Sequence, residues 1–78
     1  MSYKELDTVV LNRDLPDHGL RSGDLGAVVQ VYSPEGLEVE FVTVSGRTQA
    51  LVTLDVRDVR PVSDEDLLSV RTLTRGAA

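Results

Sequence analysis

The chain predicts an all-β fold: a small curved barrel of about five antiparallel strands with a short C-terminal helix. Three observations carry this. A glycine-punctuated loop, Gly19–Gly26, runs into the valine-rich stretch Ala27–Tyr32. Two turn signals, Ser33-Pro34-Glu35-Gly36 and Ser45-Gly46, divide the middle of the chain into strand-length segments. Each turn, taken separately, then puts the same apolar residues on one face.

The first turn has Ser, Pro and Gly at the positions of a type I turn followed by a left-handed glycine, a three-residue hairpin loop ending in a bulge. It predicts Ser33 opposite Leu37, Val31 opposite Val39 and Val29 opposite Phe41. The second suits a two-residue hairpin, where glycine tolerates positive φ. It predicts Phe41 opposite Ala50, Val39 opposite Val52 and Leu37 opposite Leu54. Together they place Val29, Val31, Leu37, Val39, Phe41, Ala50, Val52 and Leu54 inside. Glu38 and Glu40 fall outside with Gln30, Gln49 and Thr53, and a one-residue slip would bury both glutamates.

The remaining elements follow in order. Thr8–Leu11 is a short first strand. Asn12–Gly23 is a long loop, since Pro16 and the glycine and asparagine positions exclude a regular element; Leu15 and Leu20 pin it to the end of the barrel. Loops of this length either close a fold or carry binding. Val56, Val59 and Val62 recur every third residue, which predicts a 3₁₀ turn and then a short last strand around Val59–Val62. Pro61 lacks an N–H and puts that strand at an edge. Ser63-Asp64-Glu65-Asp66 carries N-cap and helix-dipole signals for a helix bearing Leu67, Leu68, Val70 and Leu73. Residues 1–62 are thus the barrel, and 63–78 a capping helix with a frayed tail.

At 78 residues one domain is expected, with a modest core and no cysteine to staple it. Absence of cysteine, of an apolar run long enough for a membrane and of signal-peptide character in Met1–Glu5 fits a cytoplasmic protein. A net charge of −5, spread along the chain, weakens a nucleic-acid role and supplies solubility, or else a docking surface for a basic partner.

The runs Glu5–Leu11, Arg13–Leu20, Gly23–Gly26, Val28–Tyr32, Val39–Val42 and Asp58–Val62 resemble a family of small bacterial proteins known only as a domain of unknown function. Its members carry a Leu-Pro-Glu-type tripeptide, which is Leu15-Pro16-Asp17 in this chain. The resemblance implies an SH3-like barrel and brings no catalytic residues. A looser similarity, a glycine-aspartate turn before a valine-rich strand, links the chain to modules of the KOW type, although their basic surface is missing.

Chemistry is sparse. His18 lies near Asp14 and Asp17, in a spacing that matches no ligand motif. Glu38 and Glu40 are solvating charges on an outward face, and the Gly19–Gly26 loop lacks a phosphate-loop lysine. The expectation is no enzyme, no cofactor and no metal. Val28, Val42 and Leu51 gather on the outer face, with Val44 near the tip and Val10 alongside. Either the C-terminal helix covers them, or bending turns them inward, or they meet a partner. The expected role is non-catalytic protein binding through Leu15, Asp17, His18, Leu20 and Arg21 in the loop and Val28, Val42 and Leu51 on the face. An accessory subunit and an antitoxin- or immunity-type neutraliser are the forms considered. A KOW-like nucleic-acid or ribosome-associated module is the rival. No membrane is implied, and self-association through an edge strand stays open.

Overall fold

The computed structural model describes residues 2–32 and 34–73. Five strands form one antiparallel sheet: β1 (Thr8–Leu11), β2 (Leu25–Tyr32), β3 (Gly36–Val42), β4 (Thr48–Asp55) and β5 (Val59–Pro61), in the order β4-β3-β2-β1-β5. β5 is an edge, as Pro61 requires. Val9, Leu11, Val28, Leu37, Val39, Phe41, Ala50, Leu54 and Val59 share one buried cluster. Because that cluster draws on both outermost strands, the sheet curls around it. Fully burying a Val, Leu or Phe side chain contributes roughly 1.5–3 kcal/mol, so these few residues carry most of the stability.

The β3–β4 register is as expected, with Leu37 opposite Leu54, Val39 opposite Val52 and Phe41 opposite Ala50. The hairpin loop between them is one residue longer than the predicted two-residue turn. Gly46 N–H bonds Thr43 O, Thr43 N–H bonds Arg47 O, and Gly46 takes φ 90°. An irregularity between Phe41 and Val42, where Val42 pairs with Thr48, absorbs the extra residue. The two departures cancel, so the strand faces are unchanged.

The β2–β3 register corrects the expectation. Tyr32 pairs with Gly36 and Val31 with Leu37, two places from the predicted pairing; the predicted Ser33 pair lies outside the described residues. Gly36 opens the strand instead of ending a turn in left-handed conformation. The Glu35 carbonyl, turned toward β4, accepts from Val56 N–H at 2.9 Å. A bulge between Val28 and Gln30 then reverses which side chains face inward, so Val28 meets Val39 and is buried. Val28 turns its own N–H and C=O away from β3, to Asp7 O at 2.9 Å and Leu6 N–H at 2.7 Å. Leu6 reaches that position at φ 76°, a left-handed conformation unfavourable for a leucine.

The bulge has a steric cause. Gly26 is buried beneath Phe41, and a Cβ there would lie 2.6 Å from Val39 Cγ1 and 2.8 Å from the Phe41 ring. Without the bulge, the same register would bring Ala27 under that ring. The Val29 expectation therefore fails, and Val29 is half-buried; Val31 keeps the side of its partner Leu37 but, near the end of β2, is exposed rather than buried.

The 3₁₀ turn at Val56–Asp58 forms as expected. Asp55 accepts from Arg57 N–H at 2.8 Å, and Asp58 accepts from Asp55 N–H at 3.0 Å. The C-terminal helix does not form. Ser63 and Asp66 make the predicted capping contacts: Glu65 N–H bonds Ser63 Oγ at 3.0 Å, and Ser63 N–H bonds the Asp66 carboxylate at 2.7 Å. Yet residues 66–73 carry no regular structure, and the predicted frayed tail from Thr74 lies outside the described residues. Ion pairs at Asp66 and Arg71 hold this stretch between two fixed points.

Replacing Gly26 by Ala forces a methyl group into the Val39–Phe41 contact. A loss of about 1–3 kcal/mol is expected in urea unfolding. Gly36→Ala meets only ordinary contact with Tyr32, at 3.4 Å, and is expected to change stability by no more than about 0.5 kcal/mol. Equal effects at the two glycines would contradict the assigned packing.

Candidate functional site

The outer face of the sheet near its β1–β2 end forms the floor of a groove. Val10 pairs with Leu25 on one side and with Arg60 on the other. Continuing the Ala27–Glu40 register by two places brings Leu25 opposite Val42. Alternation along each strand points these side chains away from the core. Leu25 and Val42 are partly open to solvent, whereas Val10 is buried yet stands apart from the core cluster.

Residues 66–73 lie along this face as a strap without regular structure. At one end Arg60 makes a bidentate pair with Asp66, at 2.9 and 2.7 Å. At the other, Arg71 Nε bonds Asp24 at 3.0 Å, while Arg71 Nη2 reaches Gly19 O at 3.1 Å. Among the described residues, the backbone from Leu67 to Leu73 makes no hydrogen bond to other backbone. Side-chain charge is thus what pins the strap. Between its anchors Leu67, Leu68 and Val70 face solvent. Strap, sheet face and the Leu20–Leu25 turn together enclose an open groove of about 940 Å³.

The long loop is held rather than free. Leu15 and Leu20 bridge each other through backbone bonds of 3.0 and 3.1 Å and are buried, closing one end of the core. Gln49 Nε2 bonds His18 O at 3.1 Å, tying the 3₁₀ turn Pro16–His18 to β4. Asp17 and His18 are exposed on that turn and lie outside the groove lining. Of the expected binding residues, Leu20, Arg21 and Val42 come together in the groove. Leu51 is exposed on the same face but does not line it, and Leu15 is structural. Val28 is corrected outright: the bulge moves it into the core, and Leu25 takes the outward position.

Sequence reasoning missed Leu25, Arg47 and the strap. A signal for Leu25 existed, since Gly26 is the β2 residue small enough to lie under an aromatic ring. Of the explanations for the outer apolar residues, neither a covering helix nor barrel bending accounts for Val28, which the β-bulge turns inward, and a strap without regular structure, not a helix, lines the groove with Val10. Val42, Val44 and Leu51 remain exposed.

The glutamates are engaged across strands. Tyr32 Oη donates to Glu38, and Thr48 Oγ1 donates to Glu40 at 2.6 Å. Among the described residues no group of three or more His, Asp or Glu is placed to hold a metal ion, and no helix is long and apolar enough to cross a membrane.

The strap anchors carry an acid dependence. The Arg60 guanidinium, then the Ser63 N–H, hold the Asp66 carboxyl down at about 2. At Asp24 partial burial works upward, but the Arg71 and Arg21 bonds and charges outweigh it and keep the group below its ordinary range. Both carboxyls are more acidic folded than unfolded. Their contribution is therefore complete above the ordinary value of 3.8 and is lost as pH falls below it, for Asp66 through about 2. In a carboxyl-carbon NMR titration Asp66 is expected to protonate near 2, and to move back toward 3.8 in Arg60→Gln. A wild-type midpoint at or above 3.8 would contradict the anchor.

No curated protein matches the chain, and no solved structure does. One family does, over residues 5–61, from just before β1 to the end of β5, leaving the strap beyond the matched region. That match spans well over half of the sequence, and the chain belongs to the family described as a domain of unknown function (DUF4926).

Proposed function

We propose that this chain is a non-catalytic protein-binding module built on an SH3-like barrel. The barrel reading is supported by the meander of β2, β3 and β4, by β1 and β5 completing the order β4-β3-β2-β1-β5, and by a core shared between the outermost strands. The binding reading rests on one observation. Apolar side chains stand in solvent on both sides of the groove, with Val42 56% exposed on the sheet and Leu67 92% and Val70 88% exposed on the strap. A domain this small has little apolar surface to leave uncovered without a use. An accessory subunit or a neutraliser of antitoxin or immunity type is a role such a module serves. The rival nucleic-acid module has less behind it, because a net charge of −5 repels a phosphate backbone.

The test is affinity purification of the full chain from its source cell, beside Val42→Asp and Leu68→Asp. Both positions are exposed, so the variants are expected to keep the wild-type circular dichroism spectrum. A protein recovered in stoichiometric amount with wild type, and depleted with both variants, is the expected outcome. Recovery of no stoichiometric protein, or of the same protein undiminished with the variants, would contradict the proposal.

A further inference from the structure

The charges around the groove are not distributed like those on the rest of the surface. Lys4, Arg13, Arg57, Arg60 and Arg71 each pair with an aspartate. The other basic residues among those described, Arg21 and Arg47, have no such partner, and both line the groove. The acids of the lining are already engaged, Asp24 by Arg71 and Asp66 by Arg60. The groove therefore carries an excess of positive charge in a protein whose net charge is −5.

We infer that the groove takes an acidic, aliphatic peptide segment of a partner protein. Its carboxylates bond Arg21 and Arg47, and its apolar side chains pack on Leu25, Val42 and Val44. This rests on the protein-binding reading and names the chemistry of the partner. A guanidinium left without a carboxylate offers a planar fork that matches one in two parallel bonds. The exposed valines beside it supply the apolar part of the contact. A basic segment would bring like charge against both arginines. Among the described residues a nucleic acid would find these two unpaired arginines, and its remaining phosphates would run out over an acidic protein. A short acidic segment stays within the groove and avoids that repulsion.

The chain's own Asp64-Glu65-Asp66-Leu67-Leu68 has the same character, so a second copy is a competing occupant that the test has to separate. The isotope-labelled full chain is titrated with three pools of short randomised peptides, followed by its amide NMR spectrum and by light scattering. One pool contains Asp, Glu, Leu and Val, the second Asn, Gln, Leu and Val, and the third Lys, Arg, Leu and Val. A single-stranded oligonucleotide is the fourth ligand. The acidic pool is expected to shift the amides of Arg21, Leu25, Val42 and Arg47, to bind at least roughly tenfold more tightly than the neutral pool, and to weaken with added salt. Arg21→Glu combined with Arg47→Glu is expected to lose the acidic pool and gain the basic one. Both residues are exposed, so the double variant is expected to fold, and the comparison of pools on wild type needs no variant.

Equal binding of neutral and acidic pools, undiminished acidic binding by the double variant, or a response to the oligonucleotide alone would overturn the inference. So would a wild-type dimer that the double variant dissociates, because the occupant would then be a second copy. A partner recovered through Val42 while the acidic pool shows no binding would sink the acidic class and leave the protein-binding proposal standing. Absence of both would sink the two together.

Discussion

The close approach of β2 to β3 at Gly26 is the constraint on which the rest of the molecule depends. Phe41 is the only phenylalanine of the chain, and it needs a floor without a side chain. Gly26 supplies that floor only if it faces inward. Since the turn at Tyr32–Gly36 sets the opposite alternation, one residue must be absorbed between them, and the bulge at Val29 absorbs it. Val28 then enters the core, and Val9, paired with Gly26, falls on the same side. Through that pairing β1, and after it β5, are brought round to close the core.

The same choice decides what the outer surface can do. With Gly26 and Val28 inward, Leu25 and Ala27 face out, and Leu25 joins Val10 and Val42 in an apolar floor. The strap crosses that floor with little of its own to hold it. Solvent-screened ion pairs contribute little stability, and the strap backbone from Leu67 to Leu73 has no partner in the rest of the described backbone. Its Leu67, Leu68 and Val70 side chains are exposed to water. The result is a groove open along its length, with apolar walls and two arginines outside the ion pairs that engage the other described lysine and arginine residues.

Some of this was written plainly in the sequence. Leu37, Val39 and Phe41 alternate with Glu38 and Glu40, so β3 has one sensible orientation, and β4 follows from it. A wrong loop length at Ser45-Gly46 did no harm, because the extra residue returns as an irregularity beside Phe41. β2 was less legible for a physical reason: Val28 and Val29 are adjacent and identical, so either alternation buries a valine. Only Gly26 opposite an aromatic ring decides between them, and that is a tertiary contact. In the C-terminal segment Ser63 made its local capping bond as expected, but no helix followed; Asp66 pairs with Arg60 and Arg71 with the distant Asp24 instead. Of the candidate binding residues, Arg21 and Val42 stood out in sequence. Lys4, Arg57 and Arg60 pair with near neighbours in sequence, but the Arg13–Asp58 and Arg71–Asp24 pairs join residues far apart in the chain, so it cannot be seen without the fold that Arg21 and Arg47 are the ones left over.

The alternation of β2 is open to direct measurement. In a methyl-labelled nuclear Overhauser spectrum of the full chain, Val28 methyls are predicted to contact those of Val39, and Leu25 methyls those of Val42. Contacts from Val29 to the Phe41 ring, with none between Val28 and Val39, would show that β2 runs without its bulge. The groove floor would then not exist.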